Sequence, residues 1–210
     1  MTGVLFDLDG TLLDTLEDLT DAVNYSLSVY GYPARTIEEI RRFVGNGAAK
    51  LIALSVPEGV DPLPVRTTFQ KYYNSHSQVK TGPYPGIGEA LAAIRAKYPV
   101  AVVSNKPDVA VKPLCADYFG DVYALGETED CPRKPAPDML YKAMEELGVD
   151  TCVYVGDSEV DVVTAKAAGV PCISVTWGFR DEQTLREAGG VHFCHRPEEL
   201  PAWIEKLLKV

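Results

Sequence analysis

Asp7 and Asp9 stand two residues apart at the end of a short apolar run, Val4-Leu5-Phe6, and Gly10-Thr11 follows them. The run reads as a buried strand. Residues i and i+2 of a strand share a face, so the two carboxylates leave the sheet side by side. Such crowding costs repulsion and desolvation unless a cation sits between the groups or one of them stays protonated. Either arrangement is chemistry, a cation site or an acid–base pair. Gly10 permits a sharp turn and close approach of a ligand to the backbone, so Gly10 and Thr11 beside it are candidate substrate-binding residues. Asp and Gly also mark ordinary turns after strands, but a plain turn leaves the tight apolar lead-in and the partners further along unexplained.

Three further stretches carry polar groups that suit one anionic ligand. Ser104-Asn105-Lys106 follows the apolar run Val100–Val103, and Gly156-Asp157-Ser158-Glu159 follows Cys152–Val155, with Asp161 one turn into the next helix. The third is a proline-held loop, Arg133-Lys134-Pro135-Ala136-Pro137. Singly, each has an ordinary reading: helix capping for Ser-Asn, a solvated loop lysine for Lys134, a helix-dipole acid for Asp161. Together they stand where parallel sheets bind ligands, beyond the C-terminal ends of strands.

The elements that must position these groups come in two rhythms. Residues 15–81 read as helices only. Leu16, Leu19, Val23, Leu27 and Tyr30 recur at helical spacing until Gly31 and Pro33. Thr36-Ile37-Glu38-Glu39 is a capping box. Gly45-Asn46-Gly47 breaks that helix, a short apolar helix ends at Pro57, and Asp61-Pro62 opens a fourth with Phe69, Tyr72, Tyr73 and His76 along one side. Thr81 to Gly86 then form a stiff turn, a hinge back to the core. From there helices alternate with near-continuously apolar strands at Val100–Val103, Val122–Leu125, Cys152–Val155 and Cys172–Val175. Pro113 should kink or split the helix that begins near Pro107. Repeated β–α units with such strands predict an α/β fold, a doubly wound parallel sheet covered on both faces. The expected core is 1–14 with 82–210, and 15–81 is an inserted helical domain.

Composition narrows the partners. At 210 residues the chain holds one core with a smaller insertion. A net charge of −10 and a pI near 4.8 argue against nucleic acid or anionic membrane as partner. The five cysteines are scattered without C-x-x-C spacing, which fits reduced thiols in a cytoplasmic protein. The start of the chain lacks the pattern of a signal peptide, and no stretch reads as a membrane span. Arg41, Arg42 and Lys50 flank the Gly45-Asn46-Gly47 break, where they suit either a substrate carboxylate or a solvated helix face.

Asp7-Leu8-Asp9-Gly10-Thr11-Leu12 with Asp14, Ser104, Lys134, and Gly156-Asp157 with Asp161 resemble the four motifs of the haloacid dehalogenase superfamily, in its phosphatase branch. The resemblance spans essentially the whole chain and implies that family's Rossmann-like core with a helical cap over 15–81. Asp14-Thr15, Gly45-Asn46-Gly47, Tyr84-Pro85-Gly86 and Thr176-Trp177-Gly178-Phe179-Arg180 look most like the phosphoglycolate phosphatase group. What the resemblance implies is a Mg²⁺-dependent phosphomonoesterase acting on a small phosphorylated metabolite, as a monomer or homodimer. Asp7 is then the nucleophile, Asp9 the general acid and base, and Lys134 the cation that neutralises the phosphoryl oxygens. Ser104 and Asn105 bind those oxygens. Asp7, the Asp9 carbonyl and Asp157 hold Mg²⁺, with Asp161 beside them as ligand or support. A sugar phosphomutase, a nucleotidase or a pyrophosphatase shares these motifs; a non-catalytic binding module has no need of Asp9.

Overall fold

From the N-terminus the chain runs β1 (Thr2–Phe6), β2 (Leu13–Asp14), α1 (Leu16–Val29), α2 (Ile37–Phe43), α3 (Gly47–Ser55), α4 (Leu63–His76), β3 (Gly82–Pro83), α5 (Ile87–Arg95) and β4 (Val100–Pro107). It continues through α6 (Asp108–Phe119), β5 (Tyr123–Glu127), α7 (Asp138–Leu147), β6 (Thr151–Gly156), α8 (Glu159–Ala168), β7 (Cys172–Val175), α9 (Glu182–Glu187), β8 (Phe193–Cys194) and α10 (Leu200–Leu208). This computed structural model describes residues 1–208; the last two residues of the expected 82–210 core lie outside the described residues.

Six strands pair in parallel in the order β5-β4-β1-β6-β7-β8. The strands are apolar along most of their length because both faces are covered. Val4, Phe6, Val102 and Val155 pack under α5, α6 and α10, while Leu5, Val103, Cys152 and Tyr154 pack against α7 and α8. Each fully buried Leu or Phe contributes roughly 1.5–3 kcal/mol, so the alternation along β1 secures both layers at once. After β1 the chain builds outward through β4 and β5, then returns to the other side of β1 as β6. The order therefore reverses beside β1, and the crevice at that switch point opens at the C-terminal ends of β1, β4 and β6.

The four helices α1–α4 bury a second cluster, with Leu16, Leu19, Val23, Leu27, Ile40, Ile52 and Phe69, which Phe179 joins from the loop after β7. The capping box at the start of α2 forms as expected, Thr36 and Glu39 each accepting from the other's backbone N–H. The chain leaves and re-enters the sheet region side by side, because β2 and β3 form a short antiparallel pair. Buried Asp18 holds the return by accepting from the backbone N–H groups of Lys80 and Thr81 at 3.0 and 2.9 Å.

The second core strand runs from Val100 to Pro107, pairing with Glu127 across a register shift, and Ser104, Asn105 and Lys106 form its polar end. One expectation needs correction. Pro113 does not split α6, which is continuous from Asp108 to Phe119. The carbonyl left without an N–H by Pro113 is that of Val109, a residue at the exposed start of the helix where water replaces the lost bond. All five cysteines are free. Among the described residues no helix is long and apolar enough to cross a membrane.

Candidate active site

The loop that follows β1 is tight. The Asp7 N–H still donates to Val155 O at 2.8 Å, extending the ladder, and the N–H groups of Leu12 and Leu13 both donate to Leu8 O. Gly10 turns the chain at φ +86°, and any Cβ there would lie 2.3 Å from Asp157 Oδ2. Gly178 is equally constrained, since its Cβ would meet Gly10 O at 2.3 Å and Asp157 Oδ2 at 2.4 Å. Two glycines thus clear the space in which Asp157 lies.

The two carboxylates of the opening motif do not share one cation. Each has its own lysine. Lys134 Nζ donates to Asp7 Oδ1, to Asp161 Oδ1 and to the Tyr154 hydroxyl, each at 2.8 Å. Lys106 Nζ donates to Asp9 Oδ1 at 2.9 Å and Oδ2 at 3.1 Å, and Thr15 Oγ1 donates to Asp9 Oδ1 at 2.7 Å. Both lysines are buried and both are held charged above their usual range: burial opposes the charge, but the adjoining carboxylates outweigh it.

Asp161 is fully engaged. Oδ1 accepts from Lys134 and Tyr154, and Oδ2 accepts from Ser158 N and Oγ. Burial alone would push its carboxyl up, but Lys134 and these hydrogen bonds hold it low. Asp157 accepts from Phe179 N at 2.7 Å and from Thr11 Oγ1 at 3.3 Å, and burial together with the charge of Asp161 pushes its carboxyl up to about 7. Asp7 lies well above the usual carboxylate range, through burial first, against the pull of Lys134. Among the described residues, Asp7, Asp157 and Asp161 form the one acidic group whose oxygens converge, all within 4.8 Å of one another. Three buried carboxylates face one lysine there, and the excess negative charge with all-oxygen donors suits a hard divalent cation.

Above this cluster lies a cavity of about 60 Å³. Its walls come from both parts of the chain: Asp7, Ser104 and Lys106 from the sheet, Leu51, Phe69 and Tyr73 from the helical block. At ~10–15 Å³ per water it admits on the order of four to six water-sized groups, the bulk of a phosphate with a short tail. Ser104 Oγ accepts from Lys106 N at 3.2 Å, leaving its hydroxyl hydrogen for the cavity. Asn105 Nδ2 donates to Gly45 O and Lys134 O, which ties the helical block, β4 and the lysine loop together. Arg180 makes a second tie, donating to Glu159 and to the carbonyls of Arg41 and Val44.

Of the residues singled out from sequence, Asp7, Asp9, Ser104, Asn105 and Asp157 border the cavity. Lys134 and Asp161 lie directly behind Asp7, and Gly10 and Thr11 lie behind Asp157. Arg41, Arg42 and Lys50 are not among the cavity walls. Phe69 and Tyr73 are core residues of the helical block and cavity walls at once. Sequence reasoning missed Tyr154, which reads as one more apolar strand residue, and the role of Lys106. A lysine inside a buried β–α junction is a signal in itself, since such a charge must find a carboxylate.

A parallel sheet whose switch point gathers a lysine-held aspartate, an acidic cluster and a small anion-sized cavity suits chemistry on phosphate esters. Comparisons with known proteins agree. The haloacid dehalogenase-like hydrolase family matches residues 4–175. A phosphoglycolate phosphatase of Cereibacter sphaeroides is 34% identical, the alignment covering 99% of this chain and 100% of that one. One from Pseudomonas putida is 35% identical over 84% of this chain and 70% of that one. A crystal structure from Lactobacillus delbrueckii subsp. bulgaricus, of a protein assigned to the phosphoglycolate phosphatases, has a TM-score of 0.90 at 38% identity, covering 96% of this chain and 97% of that one. The chain belongs to the haloacid dehalogenase-like hydrolases and is a phosphoric monoester hydrolase.

Proposed function

We propose that this enzyme is a Mg²⁺-dependent phosphatase that hydrolyses a small carboxylate-bearing phosphate ester, 2-phosphoglycolate or a near analogue, through an aspartyl-phosphate on Asp7. The observation that carries the reading is Asp7 itself, buried at the base of a cavity of about 60 Å³ with one oxygen held by Lys134. Lys134 occupies Oδ1, so the other oxygen is left to attack phosphorus. As the P–O(Asp7) bond forms, the ester P–O bond breaks and Asp9 gives its proton to the departing alkoxide. Water then attacks phosphorus, Asp9 takes its proton, and the P–O(Asp7) bond breaks to release inorganic phosphate. Ser104 and Lys134 meet the charge on the transferring oxygens. Asp7, Asp157 and the Asp9 carbonyl are the ligands for the cation, which supplies further neutralisation of the phosphoryl group when bound. Asp161, with both oxygens already engaged, positions Lys134. The helical block 15–81 serves as a cap that excludes water from the cavity.

The reading is tested by a panel of phosphate esters with Mg²⁺, scored for free phosphate and kcat/KM. Small anionic esters should lead the panel, releasing phosphate with no bisphosphate activator. A dependence on such an activator, with the phosphoryl group handed to a sugar, would overturn hydrolysis as the reaction.

A second measurement concerns the cation. Unfolded, Asp157 titrates near the ordinary value of 3.8, while folded it holds its proton up to about 7. Between those values the folded state binds more protons than the unfolded one, so stability falls as pH rises through the window. The loss is on the order of a few kcal/mol in EDTA. Mg²⁺ takes the place of that proton, so the fall in Tm from pH 5 to 7.5 should vanish in millimolar Mg²⁺, and activity should return. Superimposable Tm–pH curves with and without Mg²⁺ would contradict the acidic cluster as a cation site.

A further inference from the structure

Two cationic side chains border the cavity, Lys106 and Arg180. Arg180 is spent on Glu159 and on the backbone carbonyls of Arg41 and Val44. Lys106 is different. Its ammonium has three donors; two hydrogen bonds go to the oxygens of Asp9, and the remaining donor lies on the side of Tyr73. It also stands 4.7 Å from the centroid of the Tyr73 ring, which comes from the opposite wall on α4. The Tyr73 hydroxyl is buried toward that ammonium, and among the described residues no other group gives it a hydrogen bond, so it keeps capacity for a ligand. A cation and a phenol thus flank the same end of the cavity, next to Asp9.

We infer that Lys106 and Tyr73 form the leaving-group subsite, their ammonium and phenol taking the two oxygens of a carboxylate bonded to the ester carbon. The inference rests on the phosphatase reading above and adds which side chains read the substrate. A carboxylate fits better than an alcohol or an amine. It accepts from both donors at once, and it brings the charge that Lys106 matches. Because Lys106 lies on β4 and Tyr73 on α4, the subsite is complete only with the helical block seated on the sheet. The basic residues Arg41, Arg42 and Lys50 are not needed for it.

The test compares kcat/KM for 2-phosphoglycolate with that for ethyl phosphate, which carries a methyl group in place of the carboxylate. The wild-type ratio should be on the order of 10³ or more, as for a site built around polar groups that the analogue leaves unpaired. Lys106→Met keeps the stem and should bring the ratio to within about tenfold of unity, with both rates lower because Asp9 loses its partner; Lys106→Arg should retain more of the ratio than Met. Tyr73→Phe keeps the ring and should cut the ratio by about tenfold. Glycolate inhibition should weaken in Lys106→Met and Tyr73→Phe, while inhibition by inorganic phosphate, read at the Asp7 and Lys134 end, should stay near wild type and show that the fold is intact. An unchanged ratio in both variants, with phosphate inhibition retained, overturns the subsite. So does a wild-type enzyme that hydrolyses both esters equally well, although the phosphatase reading would then stand. Failure of the wild type to hydrolyse either ester would overturn both.

Discussion

Asp7→Asn is expected to abolish turnover while the protein folds as well as the wild type. The amide is isosteric, can still accept from Lys134 Nζ through its oxygen, and has no anionic oxygen to attack phosphorus. Removal of a covalent nucleophile costs on the order of 10⁵-fold or more, because the rest of the machinery has nothing to act on. Stability should move the other way. Burial and the charges of Asp161 and Asp157 press on the Asp7 carboxylate, so a neutral group there relieves repulsion that function requires. In EDTA the Tm of Asp7→Asn should therefore be no lower than that of the wild type. Acid quenching during turnover should trap phosphate on the wild-type protein and none on the variant. A pure, folded Asp7→Asn protein that turns over at the wild-type rate would end the covalent mechanism.

How far the sequence alone reaches depends on what each element owes to its neighbours. The long apolar strands were legible because both of their faces are buried, so β1 and β6 read as unbroken runs. β2, β3 and β8 have two residues each and carry no periodicity of their own; they exist because another strand lies alongside. The polar end of β4, Ser104, Asn105 and Lys106, was legible as a strand end because polar residues closing an otherwise buried strand mark a place where a site collects. Within the site, the acidic residues and Lys134 stood out as charges at strand ends or in a proline-held loop. Tyr154 did not, since its ring satisfies the apolar pattern while its hydroxyl reaches Lys134 and Asp161. The Phe179 N–H that holds Asp157 has no sequence signal at all, because any residue but proline offers that donor. Tyr73 shows the limit of pattern reading most clearly: helical spacing puts it along one side of a helix with Phe69, and it packs in the core there, yet it is also a wall of the cavity.

Asp9→Asn should slow both half-reactions, each by on the order of 10²–10⁴-fold, the usual contribution of a general acid or base. The geometry makes this a clean substitution. Thr15 Oγ1 and Lys106 Nζ both donate to Asp9 Oδ1, so an amide oxygen in that place keeps those two bonds, and what is lost is the longer bond from Lys106 Nζ to Oδ2 at 3.1 Å. The main-chain carbonyl is untouched, and with it the proposed ligand to Mg²⁺. The main functional loss is the proposed proton donor and acceptor. The effect must then depend on the leaving group. An aryl phosphate with a good leaving group departs without a proton, so its first step is nearly spared and the second remains slow. Aspartyl-phosphate accumulates, and rapid mixing should show a burst of aryl alcohol close to one equivalent per enzyme, followed by slow turnover. An alkyl phosphate needs the proton in the first step as well, so it should give no burst. If Asp9 instead does no more than offer its backbone to the metal, the side-chain change should leave both substrates with equal losses and neither with a burst.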